Sequence, residues 1–184
     1  MQARFDVAVI GGGVVGLAVL RRFAMAGLKC VLLERGSDIL SGASKGNSAL
    51  LHTGFDAPPK SLELRCMRTG YKEYLNIRDK LNLPLVESSG LVVAWTPDEL
   101  VALPAIVERA YKNGVTDARQ ISAIELRLKE PNLAKSALGA VLVPGEHVID
   151  AWSAPLAYAH QALAHGAAIM RSTEVRYGDF SKGI

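Results

Sequence analysis

Phe5-Asp6-Val7-Ala8-Val9-Ile10-Gly11-Gly12-Gly13-Val14-Val15-Gly16 opens the chain, an apolar run leads on to Ala26, and Cys30-Val31-Leu32-Leu33-Glu34-Arg35 follows. Residues 7–10 are a short apolar run of the kind that forms a strand buried on both faces of a parallel sheet. Gly11, Gly13 and Gly16 match GxGxxG where that strand would turn into a helix. Gly11 suits the tight turn, Gly13 lets the backbone approach a pyrophosphate, and Gly16 lets helix and strand pack closely. The helix start offers unpaired N–H groups and a positive dipole end to phosphate. Residues 31–33 read as a second strand, with Glu34 at its end to accept ribose hydroxyls. The alternative is a glycine-rich turn followed by a surface glutamate. Strand, glycines, helix, strand and acid arrive in order within about 30 residues, the context this motif requires. The stretch predicts a dinucleotide-binding βαβ unit. A carboxylate at Glu34 repels a 2′-phosphate, which favours FAD or NAD over NADP.

Working outward, residues 14–26 are apolar nearly all round, Arg21 and Arg22 excepted, as in a helix packed on a sheet and partly covered. Gly27 ends it. A second glycine-rich stretch follows Glu34, running from Ser41-Gly42-Ala43-Ser44-Lys45-Gly46-Asn47-Ser48 to Leu51-His52-Thr53-Gly54. Its hydroxyls and amides can hold phosphate oxygens or a ring edge, or it is a long surface loop. Two adjacent glycine-rich loops suggest one extended ligand.

Pro58-Pro59 introduce a helix over about 60–81, with Leu64, Met67, Tyr71, Tyr74 and Leu81 on one core-facing side. Residues 85–87 and 91–95 read as two strands joined by a turn at Ser88-Ser89-Gly90. Thr96-Pro97-Asp98-Glu99 is a capping box opening a helix, with Leu100, Leu103, Val107 and Tyr111 on its stripe and a stop at Asn113-Gly114. Ser122 to Glu125 repeats the capping spacing, and residues 140–143 form another strand. Asp150 caps a helix reaching about His165, and residues 167–170 form a short strand.

The 184 residues carry 49% hydrophobic residues and a net charge of +3, with no basic stripe of the kind nucleic acid requires. Cys30 and Cys66 have no CxxC spacing and read as reduced thiols, which fits a cytoplasmic protein. Peripheral association with the inner membrane is left open. The N-terminal apolar run is interrupted by glycines and has no cleavage-like site, so it reads as a fold element. No apolar run is long enough to span a bilayer. No His/Cys cluster has metal-ligand spacing, so no metal is expected.

The glycine loop, Glu34-Arg35, Ser41 to Ser48 and Leu51-His52-Thr53-Gly54 resemble the D-amino-acid-oxidase-like flavoproteins. Within them, the FAD-dependent glycerol-3-phosphate dehydrogenases and oxidases and the L-2-hydroxyglutarate oxidases are most alike. The resemblance implies an α/β fold: a Rossmann-like FAD-binding βαβ unit with the beginning of a mixed α+β substrate domain. Residues 1–82 would be the FAD-binding part, 83–147 the partial substrate domain, and 148–184 the returning helix and strand. FAD would be held by Gly11, Gly12, Gly13, Val14, Val15, Gly16 and Glu34, with Arg35 either flanking the adenine or solvated. Ser44, Lys45, Asn47 and Ser48 are candidates for the pyrophosphate and the flavin edge. Val175, in Thr173-Glu174-Val175, either reaches the adenine through its backbone or packs as an ordinary strand residue. His52 either polarises the ring or takes the substrate's hydroxyl proton, or it is a loop histidine with a structural hydrogen bond.

The resemblance further implies oxidation of a small-molecule substrate, glycerol-3-phosphate or a 2-hydroxy acid. An electron acceptor or oxygen would then reoxidise the flavin. Alternatives are an amino-acid or amine oxidase and a non-catalytic nucleotide-binding fragment. The expected sheet lacks neighbouring strands, so the chain is read as a fragment of a longer flavoenzyme in preference to a shortened chain that self-associates.

Overall fold

The computed structural model describes residues 4–179. The chain divides into two compact units, residues 1–48 with 150–184, and residues 49–149.

In the first unit, β1 (Val7–Ile10) turns through the glycines into α1 (Val14–Met25), which returns to β2 (Cys30–Leu33). All three elements stand where the apolar run and the glycines place them. The last α-helix, α5 (Ser153–Ala164), leads into β9 (Ala168–Met170). The sheet is parallel, in the order β1-β2-β9. Val9, Cys30 and Leu32 face Leu17, Leu20 and Ala24 of α1 and Ala159 and Ala162 of α5 in one apolar core. Arg21, an exception in an otherwise apolar helix, donates from Nε to Gln161 Oε1 at 2.6 Å and lies over the Tyr158 ring. The expectation that β1 is buried on both faces is corrected: Ala8 is exposed and Ile10 is 70% exposed. Helices α1 and α5 build the core on the Val9 side, and the alternate residues of a strand point to the other side.

The N-cap position of α5 is Trp152, with no side-chain cap bond, and Asp150, expected as the cap, stands two residues upstream of it. Its carboxylate accepts the Trp152 and Ser153 N–H groups and the Ser153 hydroxyl, and these bonds hold it below the usual carboxylate range. Gly166 follows the helix at φ +83°, the left-handed conformation favoured just past a helix end.

The second unit holds β3 (Leu50–Leu51), α2 (Leu62–Ile77), β4 (Leu85–Val86), β5 (Gly90–Ala94), α3 (Pro97–Lys112), β6 (Arg119–Ser122), α4 (Ala123–Lys129), β7 (Gly139–Val143) and β8 (His147–Ile149). Its strands form two antiparallel sheets, in the orders β5-β7-β6 and β3-β8-β4. The expected hairpin of residues 85–87 and 91–95 is corrected, because β4 pairs with β8 while β5 pairs with β7. Ser89, at φ +62°, lies in the link that sends the chain from one sheet to the other. Strand β7 is buried along its whole length and takes a neighbour on each side, which outweighs the local turn.

Helix α2 is shorter than residues 60–81. It starts after Ser61, whose hydroxyl accepts from Leu64 N, and of the expected stripe Leu64 and Tyr74 are fully buried. Helix α3 carries the capping box in full, and its buried positions are Leu103 and Ala110; Tyr111, placed on the stripe by sequence, is 50% exposed. Residues 49–82, assigned by sequence to the first unit, lie in the second, since β3 pairs with β8.

Candidate functional site

Each unit carries part of the candidate residue set. In the first, Gly11 has φ +102° and so takes the turn that an L side chain resists. A Cβ on Gly16 would stand 2.0 Å from the Gly11 carbonyl oxygen. That distance leaves room for hydrogen only, and it explains the close approach of α1 to the end of β1. Gly13 is the N-cap of α1, with extended backbone and no side chain to offer, and no acid lies in the first turn. The Val14 N–H donates to Ser44 Oγ at 3.1 Å, and a Cβ on Gly13 would meet that hydroxyl at 3.0 Å. Val14 and Val15 are exposed at this helix end.

Ser44 therefore brings the second glycine-rich loop against the first, as does the Leu40 N–H, which donates to the Gly12 carbonyl at 2.9 Å. Within the second loop, residues 43–46 form a short 3₁₀ turn. Asn47 Nδ2 donates to the Ser44 carbonyl at 2.7 Å, and the Lys45 carbonyl accepts from Trp152 Nε1 at 3.2 Å. The side chains of Lys45 and Ser48 are exposed.

Glu34 sits at the end of β2, as read from sequence, but its first task is internal. Oε2 accepts the Gly12 N–H and Oε1 the Gly36 N–H, each at 2.6 Å. These two bonds, Gly36 first, hold its carboxyl below the usual glutamate range, helped by the Arg35 charge and opposed by partial burial. The Gly12 amide is thereby committed to Glu34. Each carboxylate oxygen keeps a further lone pair for a ligand hydroxyl.

Beside Glu34 the chain returns after β9. Thr173 N donates to the Glu34 carbonyl and Ser172 N to the Gly36 carbonyl, both at 2.8 Å. Glu34, Arg35, Gly11, Thr173, Glu174 and Val175 line a groove of about 310 Å³ at the carboxyl ends of the parallel strands. Open parallel sheets bind ligands in this position. Val175, placed in sequence only by the family resemblance, thus lines the same groove as Glu34.

In the second unit, His52 and Thr53 follow β3. The His52 side chain is 40% exposed, while its Nδ1 is enclosed and lies 2.8 Å from Glu146 Oε2. The contact lacks hydrogen-bond geometry, so the two groups lie close together without a formed hydrogen bond. Glu146 is buried, and its Oε1 accepts both the Thr53 N–H and the Thr53 hydroxyl at 2.7 Å. Tyr71 donates its hydroxyl to the Gly145 carbonyl at 2.9 Å; burial, then the Glu146 charge, raises its pKa above the usual phenol value.

The loop after Gly54 is pinned by Asn113. Its buried Nδ2 donates to the carbonyls of Gly54, Phe55 and Ala57. Sequence reading took Asn113 only as a helix stop and passed over Glu146. An uncompensated acid in Pro144-Gly145-Glu146-His147, next to a buried strand, was the available signal. No group of His, Cys, Asp or Glu suited to a metal exists among the described residues, and no helix there is long and apolar enough to cross a membrane.

The family model for FAD-dependent oxidoreductases (DAO) matches residues 6–179. The chain is 30% identical over 171 residues to a glycerol 3-phosphate dehydrogenase of Caloramator mitchellensis, covering 93% of this chain and 36% of that protein. It is 30% identical over 148 residues to an L-2-hydroxyglutarate dehydrogenase of Indibacter alkaliphilus, covering 79% and 37%. Among solved structures, the L-α-glycerophosphate oxidase of Mycoplasma pneumoniae with FAD bound superposes at TM-score 0.89 with 28% identity, over 95% of this chain and 46% of that one. The glycine oxidase of Bacillus cereus superposes at TM-score 0.81 with 31% identity, over 98% and 54%. The chain spans between about a third and a half of the length of these proteins. A parallel βαβ unit with a glycine at the helix start, a terminal glutamate and a returning strand is thus accounted for: the chain belongs to the DAO family of FAD-dependent oxidoreductases.

Proposed function

We propose that this chain is the cofactor-holding part of an oxidoreductase acting on a small hydroxy substrate, glycerol-3-phosphate or a 2-hydroxy acid. The observation that carries the proposal is the start of α1, with glycine at its N-cap and no acid in its first turn, together with the Glu34 groove. A helix end with no acid in its first turn suits the pyrophosphate. A carboxylate with spare lone pairs, next to Thr173 to Val175, suits the adenosine half.

Gly11, Gly13 and Gly16 keep the α1 start clear, Val14 and Val15 present its first turn, and Ser44 closes over it. Gly12 steadies Glu34, and Glu34 takes the ribose hydroxyls. Arg35 and Val175 flank the adenine, and Lys45, Asn47 and Ser48 complete the polar loop. Bound FAD supplies the hydride acceptor for the carbon bearing the alcohol. His52 takes the proton of the substrate hydroxyl. The names of the glycerol 3-phosphate and L-2-hydroxyglutarate dehydrogenases support the substrate class.

The two free thiols, Cys30 and Cys66, support a cytoplasmic location, with a separate electron acceptor reoxidising the flavin. The exposed Ile10 and Val15 support self-association of the 184-residue chain. A second reading, oxidation of an amino acid or amine, is supported by the likeness to glycine oxidase.

The experiment is stopped-flow bleaching of the FAD-loaded protein with glycerol-3-phosphate, L-2-hydroxyglutarate and glycine in turn. Bleaching by either hydroxy compound, slowed about a hundredfold or more in His52→Ala, is the expected result. Bleaching by glycine alone would favour the second reading. An unchanged rate per bound flavin in His52→Ala would remove His52 from the chemistry.

A further inference from the structure

Glu146 is the one acidic residue among the described residues that is fully buried, at 4% exposure. Removing a carboxylate from water costs several kcal/mol unless partners replace the water. Two of those partners come from one residue, the Thr53 N–H and hydroxyl on Oε1. The other oxygen, Oε2, faces the enclosed Nδ1 of His52 at 2.8 Å.

Room for this cluster is made by two glycines. A Cβ on Gly90 would stand 3.0 Å from Cβ and Cγ of Glu146, and a Cβ on Gly145 would stand 2.9 Å from Thr53 Cγ2. Backbone, hydroxyl and missing side chains thus converge to hold one carboxylate against one imidazole nitrogen. A purely structural anchor for Thr53 would need only Oε1.

We infer that Glu146 is a positioning residue that holds His52 in the tautomer protonated on Nδ1, with Nε2 left free to accept a proton. The inference rests on the proposed role of His52 as base. The substrate hydroxyl's proton goes to Nε2, and the imidazolium so formed has the Glu146 carboxylate opposite its Nδ1–H. The contact with Oε2 lacks hydrogen-bond geometry, and catalytic hydrogen bonds are commonly misaligned before substrate binds. A second-partner carboxylate that fixes the imidazole tautomer is a general device, and the wrong tautomer is costly in rate.

Nitrogen NMR on the full chain, with histidine labelled in ¹⁵N, reads the tautomer directly at a pH where the ring is neutral. In the unaltered protein His52 should carry its proton on Nδ1. In Glu146→Gln and in Glu146→Asp, where the charge is kept but withdrawn by one methylene, it should shift towards Nε2–H. Two variants are used because either alone could disturb the loop; the amide spectrum of β7 reports whether each is folded. Flavin reduction in the FAD-loaded protein should slow about tenfold or more in Glu146→Gln, the direction a wrong tautomer gives. A ring that stays Nδ1–H in both folded variants, or that is already Nε2–H in the unaltered protein, overturns the assignment of Glu146. An unchanged flavin-reduction rate in His52→Ala, with the tautomer responding as stated, overturns instead the role of His52 as base.

Discussion

At the scale of single residues, the candidate site shows side chains that serve the fold. Glu34 is the clearest case, with both oxygens bonded to backbone N–H groups while it faces the groove. The folded-state pKa is depressed, so the bonds stabilise the protein above the ordinary glutamate pKa. That contribution is lost as the pH falls through the lower, folded value. Thermal melts of the unaltered protein and of Glu34→Gln across the acidic range test this. The stability gap should be widest near neutral pH and close on acidification below the ordinary glutamate value. A gap that does not change with pH would mean that the carboxylate charge contributes nothing through Gly12 and Gly36. Gly11 and Gly16 were legible in sequence because each answers a local backbone need. Glu146 and Asn113 were not. Their partners, Thr53 and the carbonyls of Gly54, Phe55 and Ala57, lie more than fifty residues away along the chain.

At the scale of elements, what was legible is what local chemistry controls. The capping box at Thr96 is an example. Thr96 Oγ1 accepts the Glu99 N–H at 3.3 Å, and Glu99 Oε2 accepts the Thr96 N–H at 3.1 Å, as the spacing requires. Thr96→Ala should lower stability by about 1 kcal/mol, read as a fall in the urea midpoint with an unchanged slope. A fall in slope would mean that the substitution reshapes the unfolded ensemble instead. Strands β6 and β8 escaped the sequence reading for physical reasons. In Arg119-Gln120-Ile121-Ser122 only Ile121 is buried, and His147-Val148-Ile149 is three residues long. Neither has enough alternation to stand out, and both are held by pairing with distant strands. The same competition separated β4 from β5, where a plausible turn gave way to the buried β7.

At the scale of the whole chain, the first unit is assembled from its two ends, residues 1–48 and 150–184. The opening βαβ could be read from residues 5–35 alone. The third strand of its sheet, β9, pairs with β2 only after the chain has passed through the entire second unit. The Glu34 groove depends on that return, since Thr173 to Val175 line it together with Glu34 and Arg35. The central claim is that this assembly holds FAD through the start of α1 and through Glu34. Titrating FAD into the unaltered chain, Gly13→Val and Glu34→Ala, and following flavin fluorescence, tests it most directly, with melting curves confirming that each variant is folded. Gly13→Val puts branched carbons where Ser44 Oγ already stands 3.0 Å from a Cβ, and Glu34→Ala removes a charged acceptor worth about 1.5–3 kcal/mol. The account predicts that both folded variants bind FAD at least about tenfold more weakly than the unaltered chain. FAD affinity unchanged in both would contradict it.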